Sequence, residues 1–370
     1  MIEAVAGRRI VVCCGAGGVG KTTISAGLAL RLAHRGSRTV VVTIDPARRL
    51  ATALGMEDLS DEPHRVSTER LPGHGPGELW ALQLDAKATF DRLVAREAPD
   101  AEARDRILGN RIYRHLSGAV AGAQEYMAVE RLHELLDEGE FDQIVLDTPP
   151  ARNALDFLDA PERITRFIEG RALRLLLRPA MPGSGAAWRV LHAGSSTVLN
   201  LLERLTGAQL LRDVAEFLAG FDGMYKGFAE RAQEVRRVLR SSESGFVVVA
   251  APEADSLGQA VGLGRRLAEE GYPLAGVVLN RVHDLPPGGL ARPAVLIPAL
   301  AAAGAPDPES LAARAVATLE EDQILGLRDL DAREALAGAL DGAAVTRVPA
   351  FADEPVELDG LAEVAAALAR

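Results

Sequence analysis

Two cysteines in 370 residues leave no material for a disulfide framework or for a separated set of thiolate metal ligands. They are adjacent, Cys13 and Cys14, and they close an apolar run, so the expected role is core packing in a buried strand within a reducing cytoplasm. Excess positive charge is also missing. With 41 basic against 52 acidic side chains the net charge is -11, which removes the electrostatic support for a sequence-independent hold on nucleic acid. No uninterrupted apolar run approaches the ~20 residues that span a bilayer, and no cationic, apolar and small-residue leader opens the chain. Stable membrane insertion is therefore not expected, whereas a peripheral visit to a membrane surface stays open. Methionine, the adaptable residue of promiscuous binding surfaces, is scarce at five.

What the chain does have is 48% hydrophobic content, enough to bury at least one large core, in one big domain or in two intimately joined domains. Short β-branched runs fall at 9–14, 39–45, 79–85, 141–147, 246–252, 274–280 and 344–349, separated by helical lengths. Several are almost wholly apolar, as parallel strands covered on both faces must be. The expected class is α/β, with a doubly wound, mostly parallel sheet. Two long intervals, 86–140 and 153–242, lack strand signals and carry apolar residues at three- and four-residue spacing. They read as a helical subdomain inserted in a sheet domain made of 1–85, 141–152 and 243–370. Loops rich in Pro, Gly and Ser interrupt the pattern at 178–188 and 284–293.

The stretch CCGAGGVGKTT, residues 13–23, fits two phosphate-binding patterns at once. Gly15, Gly17 and Gly20 satisfy the dinucleotide fingerprint, and Asp45 stands near where that fingerprint wants an acidic residue. Gly15 to Thr22 equally satisfies the nucleoside-triphosphate loop. Lys21, Thr22 and Thr23 separate the two. An ammonium that reaches β- and γ-phosphates, followed by a hydroxyl that ligates Mg²⁺ at the start of a helix, has no use in dinucleotide binding. Asp147 agrees with this choice, because a carboxylate leaving an apolar strand can hold the shell of a magnesium ion. Without the loop upstream it would read equally well as a cap on the next turn.

The segments GAGGVGKTT, DPARR and DTPPARNALDFL are similar to the triphosphate loop and the two switches of the arsenical-pump ATPases and of the related ATPases that target tail-anchored membrane proteins. VLNRV near 280 and VPAFADEPVELDGL near 350 resemble that family's base-binding and C-terminal segments, so the likeness runs over nearly the whole chain. The resemblance implies a P-loop NTPase fold, ATP and Mg²⁺ as ligands, and a dimer. Gly15, Gly17, Gly18, Val19, Gly20, Lys21, Thr22 and Thr23 would then wrap the phosphates, Thr22 and Asp147 would serve the metal, and Asp45 would orient or activate the attacking water. Asn280 would hydrogen-bond the adenine edge. Asp45 in IDP also reads as the simple end of a strand, and Asn is common where a strand gives way to a loop.

The same resemblance makes Ala16 a departure, since the family usually carries there a lysine that reaches the partner's nucleotide. Two partner arrangements follow: a homodimer, or a heterodimer in which this chain is a weakly hydrolysing regulatory subunit beside a lysine-bearing paralogue. Arg48, Arg49 or Arg152 could replace the absent charge, or could simply be solvated and ion-paired at an acidic surface. In the tail-anchored branch the helical insertion forms a groove for an apolar client, and 171–181 and 196–205 could line one, although apolar helix faces usually pack in cores. The Cys-x-x-Cys with which some relatives bridge a dimer through zinc is missing, and arsenite-triggered chemistry is unexpected because the only cysteines, Cys13 and Cys14, lie beside the triphosphate loop and not in the insertion. The last ten residues lack the basic, bulky character of a membrane-targeting helix.

Overall fold

The computed structural model describes residues 1–110, 123–149, 225–286, 292–351 and 357–369. Eight strands form one sheet in the order β3-β4-β2-β5-β1-β6-β7-β8. They are β1 (Ile10–Gly15), β2 (Arg38–Thr43), β3 (His64–Val66), β4 (Glu78–Gln83), β5 (Gln143–Asp147), β6 (Ser244–Ala250), β7 (Leu274–Val282) and β8 (Val345–Pro349). Every pairing is parallel except β3 with β4. The seven strands expected from apolar runs are all present, with ends shifted by up to two residues, and the expected mostly parallel α/β sheet is the fold. The strand that patterning misses is β3: three residues long, at the sheet edge, with His64 and Arg65 exposed.

Alternation along the strands divides the interior into two cores. Ile10, Val12 and Cys14 of β1, with Val40, Ile144, Phe246 and Val248, face one side of the sheet, while Val11 and Cys13, with Val41, Val145, Val247 and Val249, face the other. The second side is covered by α1 (Ile2–Val5), α2 (Lys21–His34), α3 (Arg49–Ala53) and the C-terminal helix α11 (Glu357–Leu368). The first side is covered by α6 (Ala123–Glu138), α7 (Tyr225–Leu239), α8 (Ala254–Glu269) and the end of α10 (Pro308–Ala339). In that layer α4 (Ala86–Glu97) and α5 (Ala101–Gly109) join α6 through a smaller apolar cluster of Leu93, Val94, Ile107, Tyr126 and Met127. A short helix, α9 (Pro293–Ala302), precedes α10.

The stretch read from sequence as a helical insertion is therefore helical at 86–97, 101–109, 123–138 and 225–239. Residues 153–224, with the loop at 178–188 and both segments considered for a client groove, lie outside the described residues. The described helices are not detached from the sheet, because Leu132 and Leu135 of α6 and Val235 and Leu239 of α7 belong to the sheet's own core. Ionic contacts fasten the layer further. Asp61, in the loop before β3, accepts from Arg92 at 2.5 Å, while the fully buried Glu130 meets Arg231 at 2.8 Å. These pairs are compensated on both sides, which is what allows the charges to be buried at all. No helix among the described residues is long and apolar enough to cross a membrane.

Candidate nucleotide site

The C-terminal ends of β1, β2, β5 and β7 converge on one rim of the sheet, where doubly wound folds bind ligands. The loop from β1 to α2 is shaped by its glycines. A side chain at Gly15 would collide with the Val249 carbonyl of β6, so the strand exit demands glycine for close packing. Gly20 caps α2 in the left-handed conformation, φ 87°, and leaves the first amides of a 14-residue helix turned toward the loop. Gly17 and Gly18 are exposed, Val19 is buried beneath them, and Thr23 lies half-buried in the first turn of α2.

Lys21 is buried to 6% exposure, and its Nζ donates to the Ala16 carbonyl at 2.8 Å. Burial lowers its pKa, and the negative charge of Asp147 works against that fall. Thr22 Oγ1 donates to Asp147 Oδ2 at 2.8 Å. The lysine, hydroxyl and carboxylate expected from sequence thus meet at one point. Asp147 is 1% exposed, and burial pushes its pKa up to about 6, against the donors Thr22 and Thr43 and the nearby Lys21 charge.

Two further residues complete this cluster. Thr43 at the end of β2 lies opposite Asp147 in the β2–β5 register; its Oγ1 donates to Asp147 Oδ2 at 2.9 Å and accepts from the Asp45 amide at 3.2 Å. Gln124, at the start of α6, donates from Nε2 to the Ile44 carbonyl at 2.6 Å, so the backbone entering Asp45 is held from the helical layer. Asp45 itself accepts from the Ala47 amide at 3.0 Å and pairs with Arg49 at 3.3 Å. Strand register alone could have suggested Thr43. Gln124 carries no local signal, because its partner is a backbone carbonyl 80 residues away.

Asn280 donates from Nδ2 to the Val19 carbonyl at 2.9 Å and is 7% exposed. It thereby ties β7 to the loop and closes over Gly20, where any Cβ would strike its amide. The β7–β8 register is irregular between Leu279 and Val282, and Arg281 within it takes the left-handed conformation, φ 60°. Cys13 and Cys14 are free, fully buried thiols, as expected of core residues. Burial raises both, Cys13 to about 12, so neither ionises near neutral pH.

The donor set fits magnesium better than a metal held by protein alone. No group of three or more His, Cys, Asp or Glu side chains among the described residues can hold an ion. One hydroxyl beside one carboxylate suits Mg²⁺, which keeps several waters and takes its other oxygens from substrate phosphates.

Because Asp147 has a folded pKa raised above its ordinary value, its protonated form is favoured in the folded chain. Its contribution is fully present below pH 3.8 and lost as pH rises to about 6. We expect Asp147→Asn, measured without nucleotide or metal, to melt above the parent at pH 7.5 and to approach the parent's midpoint near pH 4. Parallel pH profiles of the two midpoints would show that Asp147 ionises in the folded chain as it does in the unfolded one.

The family model described as Anion-transporting ATPase matches residues 8–287. The chain is similar to ATPase ARSA1 of Chlamydomonas reinhardtii, with 27% identity over 297 residues, 75% of this chain and 35% of that protein. It is also similar to ATPase GET3B of Arabidopsis thaliana, with 30% identity over 301 residues covering 76% and 65% of the two chains. ATPase GET3 of Malassezia globosa is 25% identical over 285 residues, 75% of this chain and 74% of that protein. The matched region thus amounts to about a third of the algal relative and just under two thirds of the plant one.

Proposed function

Because this chain belongs to the anion-transporting ATPase family, we propose that it is a Mg²⁺-dependent ATPase that acts as a dimer and couples nucleotide turnover to handling a hydrophobic or membrane-protein client. The observation that carries the reading is the junction of Lys21, Thr22 and Asp147 at the start of α2. Lys21 would trade the Ala16 carbonyl for β- and γ-phosphate oxygens, and the amides of residues 17–23 would donate to the same phosphates. Thr22 and Asp147 would hold the magnesium shell, and the ion, when bound, would offset the negative charge that develops on the phosphates. Asp45 would orient the attacking water, with its backbone fixed by Thr43 and Gln124. Asn280, whose amide nitrogen already holds Val19, would meet the adenine edge with what remains of its amide.

Contact of α6 with both Ile44 and the sheet core supports a route by which nucleotide state reaches the helical layer. A cytoplasmic setting, peripheral to a membrane at most, fits the two unpaired thiols and the client proposed. The test is phosphate release from ATP by the purified chain. It should require Mg²⁺, stop on chelation, and be lost in Asp147→Ala. Release that continues undiminished in excess chelator would refute the metal assignment, and no release or ATP binding under any condition would refute the ATPase.

A further inference from the structure

The described site holds four charged side chains: Lys21, Asp45, Asp147 and Arg49. Transfer of a γ-phosphoryl group spreads negative charge over three equatorial oxygens, and a single ammonium on the loop is a modest counterweight. Position 16, at the loop's entry, contributes a methyl group and a carbonyl already taken by Lys21.

The three arginines raised by the sequence separate in the structure. Arg48 turns away to Asp58, at 3.4 Å, with a side chain 69% exposed. Arg152 lies outside the described residues. Arg49, the first residue of α3, sets Nη1 3.3 Å from Asp45 Oδ2 and lies close enough to Lys21 for its charge to be felt there. Among the described residues it is the one guanidinium paired with a carboxylate of the site. Its side chain is 64% exposed against 16% for Asp45, so Arg49 reaches solvent while the carboxylate it pairs with is mostly covered. An exposed single-contact pair of this kind is held weakly, and a guanidinium has five donors, so Arg49 can exchange or share Asp45 with phosphate oxygens at little cost.

We infer that Arg49 is a catalytic residue, supplied by the same subunit, that contacts the γ-phosphoryl oxygens during hydrolysis and takes the place of a cation donated by a partner. This rests on the ATPase reading given above. In the step concerned, the water oxygen forms a bond to γ-phosphorus as its proton passes to the Asp45 carboxylate. The bond from phosphorus to the β,γ-bridging oxygen breaks, and its electron pair leaves with ADP. Arg49 stays protonated throughout, drawing the transferring oxygens and Asp45 into one hydrogen-bonded set.

The experiment compares the parent, Arg49→Ala, Arg49→Gln, Arg49→Lys and Arg48→Ala in two assays. Calorimetry measures ADP binding in Mg²⁺ with and without aluminium fluoride, which mimics the planar phosphoryl group; single-turnover hydrolysis is followed in parallel. Melting midpoints confirm that each exposed-site variant is folded. The expected result is ADP affinity within about threefold of the parent for all five. Arg49→Ala and Arg49→Gln should lose the added affinity conferred by aluminium fluoride and hydrolyse roughly 100-fold more slowly, as when one transition-state donor is removed. Arg49→Lys should recover part of both, and Arg48→Ala should match the parent.

Equal tightening by aluminium fluoride in the parent and in Arg49→Ala would overturn the proposal while leaving the ATPase reading intact. So would a parent that neither tightens nor turns over until Ala16→Lys or a lysine-bearing paralogue is supplied, because the charge would then come from the partner. Absence of any Mg-nucleotide binding by the parent would instead bring down the ATPase reading, and this inference with it.

Discussion

Lys21→Ala should bind Mg-ATP roughly 1,000-fold more weakly than the parent in a calorimetric titration. The lysine is nearly buried at the helix start and already makes a 2.8 Å hydrogen bond to the loop, so its stem is ordered before any phosphate arrives. Hydrogen bonds to charged groups contribute about 1.5–3 kcal/mol each, and two of them amount to about 4 kcal/mol, or three decades of affinity. A second loss reinforces the first. The positive charge of Lys21 favours ionisation of Asp147, and without it the carboxylate is harder to keep ionised for the metal. Lys21→Met, which keeps most of the aliphatic stem, should fall as far as Lys21→Ala, since the ammonium and not packing does the binding. Unchanged ATP affinity in both variants, or tight binding of NADH by the parent, would return the glycine-rich loop to the dinucleotide reading.

How far such a site can be read without coordinates depends on how local each determinant is. Lys21 and Thr22 are adjacent, and their roles follow from one loop and one helix start. Asp147 is 125 residues from Thr22, yet it is legible because an apolar strand ending in a carboxylate is itself a pattern. Thr43 needs one step more. Nothing in TVVVTID distinguishes it from the other β-branched residues until β2 is known to lie beside β5 with Thr43 opposite Asp147. Gln124 is beyond reach, because neither its spacing nor its chemistry predicts a backbone carbonyl on a distant strand end.

The fold shows the same gradient. Buried parallel strands declare themselves as short apolar runs, which is why seven of the eight are visible in composition alone. β3 is invisible because an edge strand of three residues, two of them exposed and polar, has no apolar period to detect. The described parts of the two intervals are legible as helices but not as layers: period alone does not reveal that the faces of α6 and α7 carrying Leu132, Leu135, Val235 and Leu239 pack on the sheet. Charge is the least transparent of all. Glu130, Arg131 and Glu134 are three charged residues within five positions of one helix, yet all three are buried among partners on α4, α6, α7 and the Asp61 loop.

Asp45→Asn should bind Mg-ATP within a few-fold of the parent and hydrolyse it roughly 1,000-fold more slowly in a single turnover, within the range found when a positioned general base is removed. The separation of binding from chemistry follows from where the residue sits. Asp45 lies at the end of β2, its amide held by Thr43 and its Oδ1 by the Ala47 amide, so asparagine can keep the same turn with its amide oxygen. Oδ2 then becomes an amide nitrogen, which can neither take a proton from water nor pair with Arg49. A cation freed beside the phosphates would, if anything, tighten ATP in the ground state, so the variant should show a slow step and not a weak complex. The double variant Asp45→Asn with Arg49→Ala is the sharper form of the test. If the two side chains act on one transition state as a unit, the double loss should be well short of the product of the single losses. Multiplicative losses would mean that Asp45 and Arg49 serve separate steps, and a parental rate in Asp45→Asn alone would mean that the carboxylate merely finishes its strand.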